Sequence, residues 1–447
     1  MNALLRSITL GTLVGAALSL YPQVAAAPVA PPALAGEYVP DEVLVKFKPT
    51  AGMQARMAAM AARGHSVVAN LNQPGWAQVK VRAGQTMEAA LAAYRNDANV
   101  EYVQPNYIYR AAAAPNDTQY GQLWAFKNTG QPVGSPPVRG TAGADMNIEP
   151  AWDHITDCSS VAVAVLDTGV NYTHQDLAAN MWNGPNHGHD AVEPDNDPMD
   201  ESGHGTHVAG IVGAVGNNGA GTTGVCQKAS IMAVRVLDAD GKGTTATAVE
   251  GIGFAVTNGA RVINMSLVGD GTFSDPALSD AITNAQIGDV VVVVVAGNTS
   301  DVGHDNDLAA NATYPCNLTQ PNLVCVAALD QNYALAGFSN WGATSVDVGA
   351  PGTNILSTTG VNLNSTSYGT MNGTSMASPE VAGLAAMLRA YNPQYTYADT
   401  VGAIKNGGRS VQALAGKTTT GKAVDVMSSL AYINPPTGLT ATVQRAR

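Results

Sequence analysis

The stretch VAVAVLDTGV, residues 161–170, decides how the rest of the chain is read. Its six unbroken apolar residues, Val161 to Leu166, suit a short strand covered on both faces. Asp167-Thr168-Gly169 then closes the strand with a carboxylate and a turn. A carboxylate at the carboxyl end of a parallel strand lies where α/β active sites gather. The ordinary alternative is an Asp that merely starts a turn. Similar runs recur at 230–236, 262–265 and 290–296, separated by helical patterns at 205–214, 244–258 and 276–286. This alternation predicts an α/β domain with a doubly wound, mostly parallel sheet.

Around that body the chain has room for more than one unit. Its 447 residues fit two or three domains. A 45% hydrophobic and only 13% charged composition excludes a largely disordered chain. The net charge is −12, without any Lys/Arg-rich run, which argues against a nucleic-acid partner. The charge is unevenly spread. Residues 27–111 hold eight Lys/Arg against six Asp/Glu, whereas residues 112–447 hold 13 against 28. A slightly basic front segment therefore precedes a strongly acidic body, and opposite signs favour their docking.

The front of the chain reads as a leader and a small domain. Arg6, the apolar run Ile8 to Leu20 and the small residues Val24-Ala25-Ala26 make a secretory signal over residues 1–26. A Pro/Ala linker fills 27–36. Alternation at Val43, Val45 and Phe47, a helical pattern at 53–62, alternation at 77–81, a helical pattern at 87–95 and an extended run at 100–109 predict a β-α-β-α-β unit. The small-residue joint AAAAPN at 111–116 is the kind of segment that proteases cut. No later stretch is long and apolar enough to span a bilayer, so no membrane span is expected in the mature form. The tail 434–447 opens on a Pro-Pro turn and is too short to fold alone.

Two further segments carry chemistry. His204 and His207 stand in SGHGTHVAG, where Ser202-Gly203 breaks the chain and an apolar helix follows. Their spacing suggests a metal pair, but no Glu lies between them as in zinc proteases. Ser375 stands in NGTSMASP, ahead of a long apolar helical segment. A Ser there is ordinarily a helix cap. It can also be a nucleophile, with its own N–H and the helix dipole stabilising an oxyanion. A nucleophilic Ser needs a base, and the base needs an orienting carboxylate. Asp167, His204 and Ser375 supply all three, in the chain order Asp, His, Ser.

The segments AVLDTGV, GHGTHVAG, VINMSL, VVAGN and NGTSMASP together resemble the subtilisin-like serine proteases, the subtilases. The resemblance covers about residues 115–433. It implies a subtilisin-like catalytic domain over 112–433, preceded over 27–111 by an inhibitory propeptide with a small α+β, ferredoxin-like fold. It also implies a secreted endopeptidase, made as a zymogen, that processes itself within Tyr109 to Pro115. Asp167 would orient His204, the general base and acid, and Ser375 would be the nucleophile. Asn298, otherwise a turn residue, would donate to the oxyanion. Ser266, Leu267 and Val268 would form one edge of a peptide-binding cleft, Ala296 and Gly297 the facing wall and Gly243 the outer rim. Val268 stands where Gly is frequent, and Thr245 where a large aromatic is common. Asp305 and Asp307 are either solvated loop charges or acidic neighbours of the primary pocket.

The same resemblance implies structural Ca2+. Asp176 and Asn218, with the carbonyls of Ala220 and Thr222 and with Asp117, match one site. Asp195, Asp197 and Asp200 form a second candidate, which read without the resemblance is a solvated acidic loop. Four cysteines allow three pairings. The resemblance implies Cys158 with Cys226 and Cys316 with Cys325, against the alternative of four buried thiols. The expected partners are protein or peptide substrates and the chain's own propeptide, acting on a monomer. An esterase or transpeptidase using the same acyl-enzyme, and a subtilase-like binding module, remain open at this point.

Overall fold

The computed structural model describes residues 38–107, 114–193, 195–270, 275–299, 302–361 and 366–433. The expected leader 1–26, the linker 27–36, joint residues 108–113 and the tail 434–447 lie outside them. The chain divides after Tyr109 into two compact units, each described by itself.

The first unit runs β1 (Tyr38–Phe47), α1 (Met53–Ala61), β2 (Ser66–Asn70), β3 (Trp76–Lys80), α2 (Met87–Arg95) and β4 (Val100–Tyr107). The strands pair antiparallel in the order β2-β3-β1-β4. Val43, Val45 and Phe47 alternate inward and share a core with Ala90, Leu91 and Tyr94 of α2. Thr86 caps α2 by accepting from the Ala89 N–H at 3.3 Å. The expected β-α-β-α-β order lacks one strand. β2 sits at the sheet edge with almost every residue exposed, so its sequence shows no inward-outward alternation to read.

The second unit is built on a nine-stranded sheet. In chain order its strands are β5 (Asp157–Asp167), β6 (Gly188–Asp190), β7 (Lys228–Arg235), β8 (Val262–Met265), β9 (Val291–Val295), β10 (Leu323–Leu329), β11 (Val348–Pro351), β12 (Arg409–Ser410) and β13 (Lys422–Ala423). They lie in the order β12-β13-β11-β10-β9-β8-β5-β7-β6, and every neighbouring pair except β12 with β13 is parallel. This is the doubly wound, mostly parallel α/β sheet expected from the alternating pattern.

The helices that cover it include α3 (His204–Gly213), α4 (Thr245–Thr257), α5 (Pro276–Ile287) and α6 (Thr374–Tyr391). The all-valine β9 is buried along its whole length. Val291 and Val293 pack into one core with Val208 and Val212 of α3 and Val381 and Leu384 of α6. Val292 and Val294 face the opposite core, with Ile252 of α4 and Ile282 of α5. β-Branched residues suit such a two-sided strand because their stiff side chains lose little freedom there. Cys158 is bonded to Cys226, tying the start of β5 to the lead-in of β7, and Cys316 is bonded to Cys325 of β10.

This topology sets the place of the site. From β5 the chain first runs to one side, through β6 and β7, and then crosses to β8 on the other. Asp167 ends β5, and Ser266 follows the last residue of β8. Both stand at the carboxyl ends of strands flanking a topological switch, where an open α/β sheet leaves a crevice.

Candidate active site

Asp167 is fully buried, and its Oδ1 accepts from the Thr168 N–H at 2.8 Å. The same oxygen lies 2.6 Å from His204 Nδ1. His204 is the first residue of α3, entered through Gly203 at φ 90°. Gly205 lets this helix end approach the β5 turn, since a Cβ there would lie 2.1 Å from the Gly169 carbonyl oxygen. The charge of Asp167 raises the His204 pKa above that of free imidazole, against burial, which lowers it; Asp200 adds a smaller push upward.

Asp195, Asp197 and Asp200, the second expected cation set, are bonded within the protein. Among the described residues no group of three or more His, Cys, Asp or Glu side chains is placed to hold a metal ion, at this loop or around Asp117 and Asp176. Asp195 and Asp197 accept from backbone N–H groups of their own loop. Asp200 is fully buried and fully engaged. Its Oδ1 accepts from the Thr168 hydroxyl at 2.8 Å and from the Ser202 and Gly203 N–H groups at 2.9 Å. Its Oδ2 accepts from the Thr206 N–H at 2.8 Å and the Thr206 hydroxyl at 2.5 Å. Asp200 thus fastens the N-terminus of α3 to the turn after β5, a role that an acidic run in sequence does not reveal.

Ser375 is the second residue of α6, so the cap is Gly373, at φ 157°. The first N–H of the helix, that of Thr374, donates to Asn298 Oδ1 at 2.9 Å, and the Thr374 hydroxyl donates to it at 3.1 Å. Both bonds hold the Asn298 oxygen and leave its Nδ2 pointing elsewhere. A Cβ built on Gly373 would lie 3.5 Å from Asn298 Nδ2 and 3.5 Å from the Ser375 N. The Asn298 amide nitrogen and the Ser375 backbone nitrogen therefore both lie beside Gly373, two donors of the kind an oxyanion needs. Ser375 Oγ reaches the Ser266 carbonyl at 3.5 Å. Among the described residues no hydrogen bond joins it to His204, a looseness common in unliganded sites.

His207 does not join this group. It is wholly buried, its Nε2 faces the carbonyls of Ile355 and Gly369 at 3.0 Å, and burial pushes its pKa down to about 4.

A groove of about 630 Å³ runs past His204. Gly243, Ser266, Leu267 and Val268 line it, with Thr245 and Tyr314. At its far end the Thr245 hydroxyl donates to Asp275 Oδ2 at 2.6 Å. Ala296 and Gly297, expected as the facing wall, are buried and do not line this groove. Their carbonyls accept from Asn306 Nδ2 at 2.8 Å and the Asn340 N–H at 3.0 Å. Asp305 and Asp307 are likewise occupied: Asp305 Oδ1 accepts from the Asp307 N–H, and Asp307 Oδ2 from the Thr344 N–H.

Of the first expected cation set, Asp117 and Asp176 are both buried, and among the described residues neither forms an ion pair. Burial raises the Asp117 pKa, opposed by the N–H groups of Asn217 and Asn218 and reinforced by the Asp176 charge. Asn218 Nδ2 donates to Asp176 Oδ1 at 2.7 Å, and the Thr222 N–H and Tyr368 hydroxyl reach Oδ2 at 3.0 and 2.8 Å. Two neighbouring buried carboxylates without a counter-charge fit a hard cation.

Comparison with known proteins gives matches over both units. A model of the subtilase family matches residues 159–429, and a model of the fervidolysin N-terminal prodomain matches residues 25–106. A thermophilic serine proteinase of Bacillus sp. (strain AK1) is 38% identical over 79% of this chain and 79% of its own length. Thermitase of Thermoactinomyces vulgaris is 41% identical over 53% of this chain and 77% of its own length. Among solved structures, a protease of Pseudoalteromonas arctica PAMC 21717 is 32% identical, with a TM-score of 0.60, over 72% of this chain and all of that one.

Proposed function

The chain belongs to the subtilase family of serine peptidases and carries an N-terminal prodomain, and from that premise we propose a secreted, self-processing endopeptidase whose catalytic triad is Asp167, His204 and Ser375. The observation that carries this reading is the 2.6 Å bond between Asp167 and His204, taken with the Asn298 and Ser375 nitrogens that both lie beside Gly373. Asp167 fixes the imidazole through Nδ1, leaving Nε2 to take the Ser375 proton. The Ser375 oxygen attacks the peptide carbonyl, and the oxyanion accepts from the Ser375 N–H and Asn298 Nδ2. His204 then returns its proton to the leaving amine. The acyl-enzyme is released by water in the same two steps.

Substrate would lie along Gly243 and Ser266 to Val268, bonded through its main chain as an added strand. Ala296 and Gly297 would act from behind, by shaping the turn that carries Asn298. The prodomain, residues 27–111, would be the intramolecular inhibitor, cut from the catalytic domain, residues 112–433, within Tyr109 to Pro115. Calcium would be held by Asp117, Asp176 and Asn218 with the carbonyls of Ala220 and Thr222, where it would neutralise the two buried carboxylates.

Turnover of casein and of a simple ester, by wild type and Ser375→Ala, tests the reading. Loss of both activities in the variant, with efficient cleavage of casein by the wild type, is expected. Ester turnover without casein cleavage, or an active Ser375→Ala, would contradict it.

A further inference from the structure

Helix α6 carries a proline where its hydrogen bonding most affects Ser375. Pro379 lies inside the helix, four residues after Ser375. It has no N–H, so the bond that would normally close on the Ser375 carbonyl is missing, and its ring crowds that oxygen. The oxygen is nevertheless satisfied. Ser266 Oγ donates to it at 3.0 Å.

That hydroxyl is the end of a chain whose direction is fixed. Ser378 Oγ donates to Asn264 Oδ1 at 2.7 Å. The Asn264 oxygen therefore faces Ser378, and its Nδ2 donates to Ser266 Oγ at 3.0 Å. Ser266 has one proton. With its oxygen accepting from Asn264, that proton is directed to the Ser375 carbonyl. Asn264 and Ser378 are fully buried and Ser266 nearly so. The Ser378–Asn264 and Asn264–Ser266 bonds are buried away from bulk water, so their donors and acceptors have a strong preference for this one arrangement, while the Ser266–Ser375 bond is partly buried at the groove.

We propose that Asn264 and Ser378 are positioning residues for the nucleophile, acting through the Ser266 hydroxyl to replace the helix bond that Pro379 removes. The Ser375 carbonyl and Oγ are then both referred to Ser266, one through its side chain and the other through its backbone oxygen. The orientation of the first turn of α6, and with it the direction of the Ser375 N–H, follows from this double tie. The inference rests on Ser375 being the nucleophile.

The decisive variant reverses the chain without changing its shape. Asn264→Asp replaces the amide nitrogen with an acceptor, so the Ser266 proton turns toward Asp and leaves the Ser375 carbonyl. We expect kcat to fall about tenfold, equivalent to one hydrogen bond of ~1.4 kcal/mol, with KM within about twofold of wild type. Ser378→Ala is the second variant, milder in volume, and should lower kcat in the same sense. Pro379→Ala supplies the missing N–H at the right spacing. In that background Asn264→Asp should lose most of its effect on kcat. A merely structural role would predict additive losses and no such rescue. Ser375→Ala separates the premise from the inference. If Ser375→Ala is fully active, the assignment of the nucleophile fails. If it is inactive while Asn264→Asp and Ser378→Ala keep wild-type kcat, or if Pro379→Ala gives no relief, the positioning chain is overturned.

Discussion

Asp167 and His204 form a 2.6 Å hydrogen bond in which the carboxylate is wholly buried while the imidazole remains partly open to the groove. The exposed side of the ring is thus the one left for chemistry. The bond also sets a pH dependence. Asp167 raises the His204 pKa, and the base must be neutral to act, so activity should rise through a pKa above the ~6.5 of free imidazole. Asp167→Asn removes the charge. The acid limb of kcat/KM should then move to lower pH, and kcat should fall about 10⁴-fold because the imidazole loses its fixed tautomer. A pH profile of kcat/KM for both proteins checks the shift. An unmoved limb would detach Asp167 from His204.

Glu380 gives a second titration, of the opposite consequence. It is buried in α6, five residues after Ser375, beside a cavity of about 10 Å³ lined by Leu123, Phe126 and Ile211. Among the described residues its Oε2 has no partner, and burial pushes its pKa well above the ordinary carboxylate value. A carboxyl whose folded pKa is raised contributes its stability fully below the unfolded pKa of ~4.3 and loses it as pH rises through the folded value. Melting of the inactive Ser375→Ala protein from pH 5 to pH 9 should therefore show a decline that Glu380→Gln flattens. Parallel curves would mean that Glu380 stays neutral throughout or is paired.

Calcium should stabilise the catalytic unit through Asp117 and Asp176. A ligand that binds only the folded state adds RT ln(1 + [L]/Kd), about 2.7 kcal/mol at a hundredfold excess over Kd. Thermal melts of Ser375→Ala in calcium and in chelator should differ, and Asp176→Asn should remove most of the difference. Equal melting temperatures in the two buffers would take calcium out of this account.

Much of this was legible from sequence because the physics is local. An unbroken run such as Val161 to Leu166 can only be buried on both faces, and the carboxylate that follows it must emerge at the sheet's rim. Other features were illegible for equally physical reasons. Strand β2 is solvent-facing at a sheet edge, so its five residues carry no pattern. Asp200 looks like part of an acidic loop until the fold brings Thr168, Ser202, Gly203 and Thr206 around it. Ala296 and Gly297 lie next to Asn298 in sequence, yet their carbonyls are consumed by Asn306 and Asn340, which sequence distance hides.

Substrate choice follows from the groove's lining. Leu267 and Val268 offer apolar surface, and the Asp305 and Asp307 carboxylates are tied into their own loop. A medium to large apolar residue before the scissile bond should be preferred by roughly ten- to a hundredfold, from ~1.5–3 kcal/mol of side-chain burial. Cleavage profiling of a peptide library reads this directly. A dominant Lys or Arg preference that collapses in Asp305→Asn or Asp307→Asn would reverse the assignment.

The central claim is that Ser375 is a nucleophile made reactive by His204. The most direct measurement is the site of covalent labelling by a fluorophosphonate, located by peptide mass mapping in wild type and in His204→Ala. The account predicts one modified residue, Ser375, in the wild type and little or no modification in the variant over the same time. Modification at any other serine, or equally fast labelling of Ser375 without His204, would contradict it.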